Sequence, residues 1–455
     1  MRQSRFLFNV NLVFLTYVAN YLLAFLLRVL VTRALGADGL GSYTLFLLVI
    51  SISSAVLGLG VSVSTIYHIG KGTFGLRDVL SNSQSVVLGS LVVSGVLVGL
   101  TALTFGDRLD REEVPYWLFA AAVPLFVNFN ILTAILQGAN RFQAMNLMVL
   151  VRPLGMAFLM VAGMAAGGLD LTGVLIFWTV SSFLTMVVGL ALVGLRHLHL
   201  PTALWPRWAV LKEQVGFGLQ GQIGNLLQLL NYRLDSFLVL AFVNTAGVGL
   251  YAVGVAVAEG IWFVANAVSV VLLPRLTHAD PEDAARLTPV ACRNTLLVSL
   301  AAAVGAGVLA PVLVEPIFGP DFGPSVTAVY WLLPGTVALA GTKILASYVF
   351  SQGKPLVNSY VTLATVATTV LFDLALIPSF GVSGAAAASS IAYGLSLVLS
   401  LIVYSRMSGQ PAWDAVLVRG SDLRMYVDAA RTLRARGALP RELSGLSGSD
   451  RSPGL

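Results

Sequence analysis

Ionised side chains stand inside long apolar runs of this sequence. Arg233, Asp235 and Glu259 fall within NYRLDSFLVLAFVNTAGVGLYAVGVAVAE, and Lys343 and Asp373 follow in later apolar runs. A charge at the centre of a bilayer costs roughly 2.5–3.5 kcal/mol on insertion scales, so it faces water, pairs with another charge or meets a substrate. The pattern predicts a membrane transporter with a polar pathway.

A polar face runs along the predicted helix that carries Arg233. Asn225, Gln228, Tyr232 and Asp235 recur at spacings of three and four, which places them on one side of an α-helix. Arg233 and Asp235 are two positions apart, so they point in different directions and do not pair within a regular helix. We expect this face to line a cavity or a packed polar interface.

Depth in the membrane distinguishes two of the cations. At about 1.5 Å per residue, Lys343 lies about 16 Å above Lys354 and close to the midplane, and Arg233 lies about 12 Å inside the end of its helix. Both are predicted to meet an anionic substrate. An ion pair with Glu259, Asp235 or Asp373 is the alternative.

Two further arginines lie nearer the ends of their predicted helices. Arg28 stands close to the end of the first helix, where lining a cavity and snorkelling to the interface remain equal alternatives. Arg152 stands one or two turns from the end of the fifth helix, beside Pro153, and is predicted to snorkel.

Composition gives the class of protein. The 455 residues are 57% hydrophobic and only 11% charged, against about 25% charged in a soluble domain, so we predict an all-α integral membrane protein. About twelve apolar runs are near the ~20 residues that a bilayer requires. Their predicted spans are 9–33, 40–67, 81–105, 115–138, 146–168, 171–195, 215–242, 247–273, 290–314, 325–351, 356–378 and 383–405.

Several functions are not expected from this sequence. There is no G-x-x-x-x-G-K-[ST] motif for ATP and no loop large enough to hold a catalytic carboxylate or metal pair. The net charge of +6 is spread over short loops and a tail, which argues against nucleic acid. We therefore predict a protein that is not an enzyme and that needs no cofactor or metal.

Basic residues in the loops predict the orientation. With both termini in the cytoplasm, the opposite side carries only Arg33, Arg108 and Arg111, whereas the cytoplasmic side carries twelve Lys and Arg before the tail is counted. Those twelve are Arg2, Arg5, Lys71, Arg77, Arg141, Arg196, Arg207, Lys212, Arg275, Arg286, Arg293 and Lys354.

The two halves of the chain resemble each other weakly. ALGADGLGSYT at 34–44 matches FVNTAGVGLYA at 242–252, so that Gly41 aligns with Gly249 and Tyr43 with Tyr251. LQGANR with SQGKP and LTGVL with VSGAA repeat the match at nearly the same offset. An even number of helices in each copy makes the copies parallel, related by an axis along the membrane normal.

The repeat predicts a division of the chain into four parts. These are an N-terminal six-helix lobe at 1–195, a cytoplasmic interfacial linker at 196–214, a C-terminal six-helix lobe at 215–406, and a cytoplasmic tail at 407–455. The tail begins with an amphipathic segment, SDLRMYVDAARTLRAR, and then turns polar, as disordered segments do.

These motifs resemble those of Wzx-type polysaccharide flippases. TRALGADGLGSYTLF and AILQGANRFQAMN are similar to their first half, and NYRLDSFLVLAF, LLPRL, FSQGKP and LALIPSFGVSGAAAASSIAY to their second half. The resemblance implies a bacterial inner-membrane protein with the two-lobe fold of the MATE exporters and the lipid II flippase MurJ. It departs at Asp373, where the family pattern has Asn, so the role of this residue stays open.

The resemblance also implies a task. Such proteins flip undecaprenyl-pyrophosphate-linked oligosaccharides to the outer leaflet, alongside membrane lipids and the glycosyltransferases and polymerase of the same pathway. On this hypothesis Arg28, Arg233 and Lys343 meet the pyrophosphate, and Asn225, Gln228 and Tyr232 meet the sugars, while Asp235, Glu259 and Asp373 bind a coupling ion or pair with the cations. A MATE-like exporter of small organic cations and a lipid II flippase are the alternatives.

Overall fold

The computed structural model describes residues 2–111, 115–194, 205–420 and 422, with side chains of 2–14, 17 and 106–111 left aside. Within this part of the chain the regular structure is helical and contains no strand. The predicted linker at 196–214 is described only from 205 onward, and the amphipathic segment of the tail lies outside the described residues apart from Asp422.

Twelve helical segments run between two faces in the described part of the chain, which confirms the predicted number. We number them α1 (2–35), α2 (37–57, continued by Val61–Lys71), α3 (Leu76–Arg111), α4 (Phe119–Gly138), α5 (Phe142–Ala165), α6 (Leu171–Val193), α7 (Trp208–Phe242), α8 (Thr245–Glu259, continued by Trp262–His278), α9 (Pro281–Phe318), α10 (Ser325–Ser351), α11 (355–380) and α12 (382–408). Single turns of 3-10 helix occur at Tyr116–Leu118, Pro320–Phe322 and Ala412–Ala415.

Two glycines separate helices that otherwise form one continuous run. The run Arg2–Leu57 breaks at Gly36, where φ is 67°, and the run Pro355–Ser408 breaks at Gly381, where φ is 56°. A side chain would clash in this left-handed region, so glycine is the residue that allows each sharp reversal.

Hydropathy supports the membrane assignment. By length and apolar content, eight described helices qualify as membrane spans, or nine if the pair that forms α8, bent by 46°, counts as one span. Two of the eight are the continuous runs that each contain two segments. The remaining difference is α7, whose polar and charged residues, Asn225, Arg233 and Asp235 among them, lower its hydropathy.

Helices α1–α6 form the N-lobe and α7–α12 the C-lobe, and glycines bring the two lobes together. At the face where α1 ends, which we call the upper face, Gly41 lies against the carbonyl group of Thr245 and Gly249 against that of Ala37. Gly41 and Gly249 are the glycines that the sequence repeat aligns, and the contact is reciprocal. This arrangement is what a two-fold axis between α2 and α8 produces.

The lobes also touch at the opposite, lower face. The backbones of Gly60 and Gly218 meet without room for a side chain on either. The rings of Tyr67 and Phe217 stack with centroids 4.5 Å apart, and Arg207 forms a 2.9 Å ion pair with Asp78. The space between the lobes is therefore narrowed at both faces.

The described beginning of the tail packs against the C-lobe. Arg293 of α9 donates to both carboxylate oxygens of Asp422, at 2.5 and 2.9 Å, and to the carbonyl oxygen of Asp414 at 3.3 Å. Hydrogen bonds from Arg293 hold the pKa of Asp422 below its usual range. The predicted division at 407 thus falls where the chain remains attached to the lobe.

The glycine contact at the upper face gives a testable prediction. Gly249→Ala places a methyl group against the Ala37 carbonyl, and overpacking of this kind typically costs about 1–3 kcal/mol. We expect a lower midpoint of thermal unfolding for the purified variant. Gly224→Ala is the matched control, because that position has open space, and it should leave the midpoint unchanged or raise it. Equal midpoints for both variants would contradict the proposed close contact.

Candidate functional site

Three cavities lie along α2 and share Ser51, and the first is lined by the N-lobe alone whereas the other two are lined by both lobes. The arginine cavity, about 270 Å³, is lined by Arg28, Arg152 and Tyr43 among others. The interlobe cavity, about 230 Å³, is lined by Arg28 and Tyr43 on one side and by Arg233 on the other. The amide cavity, about 310 Å³, lies toward the lower face, and its lining includes Ser54, Asn130, Thr133, Gln137, Gln222 and Asn225.

Arg152 lies inside the arginine cavity, so the prediction that it snorkels to the interface is wrong. Its guanidinium carbon lies 5.2 Å from the ring centre of Phe126, 4.7 Å from that of Phe129 and 5.6 Å from that of Trp178. These rings belong to α4 and α6, in the interior of the N-lobe. Three aromatic faces therefore attract the cation inside the lobe.

Arg28 also faces the cavities, which decides between the two alternatives left open for it. It is half-buried and lines both the arginine cavity and the interlobe cavity. No carboxylate of the described residues lies within ion-pair distance of Arg28 or of Arg152. The N-lobe side of the site is therefore cationic.

Arg233 has a carboxylate partner in the C-lobe. Its two terminal nitrogens meet the two carboxylate oxygens of Glu259 at 3.0 and 3.4 Å. Glu259 is the last residue of the first part of α8, at the bend of that helix. The structural alternative of an ion pair thus holds for Arg233, although its side chain still lines the interlobe cavity.

Lys343 occupies an aromatic box in the C-lobe and does not line the three cavities. Its Nζ donates to Oδ1 of Asn266 at 2.9 Å and lies 4.5 Å from the ring centre of Trp262 and 5.8 Å from that of Tyr232. Tyr232 therefore serves as a wall of this box, a partner that spacing along the sequence did not reveal.

Two buried acids lie together on the other side of α7. The Asp235 carboxylate accepts hydrogen bonds from the hydroxyls of Tyr251 and Ser389, the latter at 3.1 Å, and from the backbone of Ser236. Asp373 is fully buried, finds no hydrogen-bond partner for either oxygen among the described residues, and lies near enough to Asp235 for their charges to repel. We call Asp235, Tyr251, Asp373 and Ser389 the acid pocket.

Hydroxyl and amide groups collect in the amide cavity toward the lower face. Asn225 lines the amide cavity with Gln222, whose amide donates to the backbone of Ala55 at 2.9 Å, and with Asn130, which donates to Ser54. Gln228 is half-buried one turn further along α7. The residues of the predicted polar face of α7 therefore do not line one cavity: Asn225 lines the amide cavity, Tyr232 contacts Lys343, and Asp235 lies in the acid pocket.

Arg152 and Tyr43 are two of the cavity residues that sequence reasoning did not assign. One signal was present for Tyr43, because the repeat aligns it with Tyr251, which contacts Asp235 in the C-lobe. No comparable signal marked Arg152, since its cage comes from rings on two other helices.

The chain was compared with known proteins. A model of the family described as polysaccharide biosynthesis protein matches residues 29–327, more than half of the chain. No curated protein matches it.

Solved structures with the same fold are distant in sequence. An inward-facing multidrug resistance MATE family transporter has a TM-score of 0.65 at 18% identity, covering 86% of this chain and 94% of its own. The lipid II flippase MurJ in its inward closed conformation has a TM-score of 0.69 at 12% identity, covering 87% and 89%. A transporter from Pyrococcus furiosus, titled as having a binding pocket of reverse polarity, has a TM-score of 0.51 at 14% identity, covering 88% and 94%.

The Arg233–Glu259 pair can be tested by charge removal. Breaking a buried pair on one side costs about 3 kcal/mol, the lower end of the usual range, because the side chains remain 30% and 17% exposed. We expect Glu259→Gln and Arg233→Gln each to lower the thermal midpoint of the purified protein, and the double variant to recover most of the loss.

The exposed pair Arg286–Glu282, 4.0 Å apart, is the control, and Glu282→Gln should leave the midpoint unchanged. Additive losses in the double variant would show that the two charges do not stabilise each other.

Proposed function

Because the chain belongs to the polysaccharide biosynthesis protein family and has the fold of the MOP superfamily of membrane transporters, we propose that it flips a lipid-linked oligosaccharide across the bacterial cytoplasmic membrane. The observation that carries this proposal is the cationic lining of the cavities. Arg28 and Arg152 have no acidic partner within ion-pair distance among the described residues, so the arginine cavity, and the interlobe cavity that Arg28 also lines, attract an anion.

The chemistry of a polyprenyl diphosphate sugar fits this space. The diphosphate is the charged group that must leave water, and guanidinium groups replace its hydration with forked hydrogen bonds. Hydroxyl and amide groups of the amide cavity suit the sugars, while the lipid tail remains in the bilayer. Lipid II and oligosaccharide-linked carriers share this chemistry, so a lipid II flippase stays an alternative within the same class.

The proposed transport cycle alternates access between the two faces. The lower face is the cytoplasmic one if the excess of Lys and Arg sets the orientation, so both termini lie in the cytoplasm. Substrate then enters after the contacts of Gly60 with Gly218 and of Tyr67 with Phe217 separate, and leaves after the glycine contacts at the upper face separate.

The acid pocket provides a basis for coupling to an ion gradient. A buried carboxylate without hydrogen-bond donors is unfavourable as a bare anion, so Asp373 must hold a proton or face a cation. The neighbouring Asp235 does accept hydrogen bonds, from Tyr251, Ser389 and the backbone of Ser236. We propose that a proton or Na⁺ binds at this pair and drives the change between the two states.

The acid pocket also favours a second candidate, a MATE-like exporter of organic cations. Such a transporter needs an acidic cavity for its substrate. Here the acids are buried within the C-lobe, whereas the cavities between the lobes present arginines. Because the cavities are lined by cations and not by acids, we place the exporter second to the flippase.

The function is tested with purified protein in liposomes. A fluorescent polyprenyl diphosphate carrying a short oligosaccharide should move between leaflets, as measured by quenching from outside, and Arg28→Gln should slow this movement at least tenfold because a charge-assisted contact is lost. Lipid II in parallel vesicles separates the two flippase activities. Transport of rhodamine 6G without movement of either lipid would establish the exporter instead.

Coupling is tested in the same liposomes with imposed gradients of H⁺ or Na⁺. Asp373→Asn keeps the shape of the side chain but cannot take up or release a proton and has no negative charge to hold Na⁺, so we expect lipid movement to lose its dependence on the gradient. Asp283→Asn, at an exposed position of α9, is the control and should keep the dependence. Wild-type gradient dependence in both Asp373→Asn and Asp235→Asn would exclude the acid pocket from coupling.

A further inference from the structure

The guanidinium of Arg152 is fixed in place but electrostatically unsatisfied. Phe126, Phe129 and Trp178 surround it on the N-lobe side, all within 5.6 Å of the guanidinium carbon. One of its terminal nitrogens, Nη1, is buried and has no hydrogen-bond partner in the part of the chain that the structure describes. Aromatic faces stabilise a cation but accept its hydrogen bonds poorly, so an anion with strong acceptors would complete the site.

Arg152 differs from two other arginines of the protein in having no carboxylate partner among the described residues. Arg233 donates to Glu259, and Arg293 donates to Asp422, so each has a carboxylate in direct contact. Arg152 has none among the described residues, although its cavity is walled by protein on several sides. A cation retained in this way inside a membrane protein indicates a ligand of opposite charge.

A second guanidinium opens into the same cavity. Arg28 lines the arginine cavity together with the hydroxyls of Tyr43 and Ser51 and the amide of Asn20, and it also lines the interlobe cavity. Two forked cations bordering a space of about 270 Å³ suit an anion with two phosphate groups better than one with a single phosphate.

We propose that Arg152, in its cage of three rings, and Arg28 form the diphosphate-binding site, and that this site lies in the N-lobe. This inference rests on the proposed function and replaces Arg233 and Lys343 as the principal phosphate ligands. Arg152 is the fixed half of the site. Arg28 borders both cavities and follows the diphosphate as it moves toward the C-lobe.

The cage explains why arginine is required at 152. A planar guanidinium stacks on aromatic faces while its edge donates two parallel hydrogen bonds to phosphate. An ammonium group is a compact point charge that lacks both the flat face and the forked donors. Lys at this position would keep the charge but lose part of the binding. Removal of the Trp178 ring should act in the same direction, because the cation would no longer be held toward the cavity.

The test measures binding of farnesyl diphosphate, farnesyl monophosphate and inorganic pyrophosphate to the purified full chain in nanodiscs. We expect wild type to prefer the diphosphate over the monophosphate. Arg152→Gln and Arg28→Gln should each raise the Kd for farnesyl diphosphate about tenfold or more, with Arg152→Lys and Trp178→Leu in between. Arg275→Gln, an exposed basic position of α8, is the control and should bind as wild type does.

The outcomes separate this inference from the proposed function. Unchanged binding by folded Arg152→Gln would overturn the role of Arg152 and leave the flippase proposal standing. If Arg152→Gln does not fold, Arg152→Lys and Trp178→Leu decide, and wild-type binding by both would overturn the role equally. Absence of diphosphate binding by wild type would overturn both proposals. Tighter binding of inorganic pyrophosphate than of farnesyl diphosphate would overturn assignment of the site to a lipid.

Discussion

A guanidinium buried in a membrane protein requires a compensating group, and the way each arginine is compensated organises this structure. Arg233 has the carboxylate of Glu259, and Arg293 has that of Asp422. Arg152 has only the faces of three aromatic rings. Aromatic rings neutralise a cation only in part, so the positive charge of Arg152 still attracts anions. The charges of Arg233 and Arg293 are already neutralised by carboxylates of the protein.

The two lobes have the same fold but opposite polarity at equivalent places. Tyr43 and Tyr251 are related by the repeat, and each is buried within its own lobe. Tyr43 lines the cavity of Arg28 and Arg152, whereas the Tyr251 hydroxyl donates to Asp235. The repeat therefore keeps the backbone contacts of the interface while the side chains differ, so that arginines line a cavity in one lobe and carboxylates are buried in the other.

The sequence predicted features that depend on local pattern. Helix number followed from apolar length, and the reversals near Gly36 and Gly381 followed from gaps between apolar runs. The surroundings of Arg152 and Lys343 could not be predicted, because each depends on rings supplied by helices distant in sequence. Closeness to a helix end suggested snorkelling for Arg152, which instead lines a cavity inside the N-lobe, and depth alone did not reveal the rings that surround Lys343.

Helix α7 connects the acid pocket to the cavities, and this gives the coupling proposal a mechanical route. Asp235 and Arg233 lie two positions apart, so one side of α7 meets Tyr251 while the other meets Glu259. Glu259 stands at the bend of α8, and the upper part of the same helix carries Gly249, which touches the N-lobe. A change of charge at Asp235 and Asp373 that rotates or shifts α7 must therefore move the Arg233–Glu259 pair and the bend of α8. The segment Thr245–Glu259 carries both Glu259 and the Gly249 contact at the upper face, so under the coupling proposal a movement of α7 would be transmitted along this segment to the contact between the lobes.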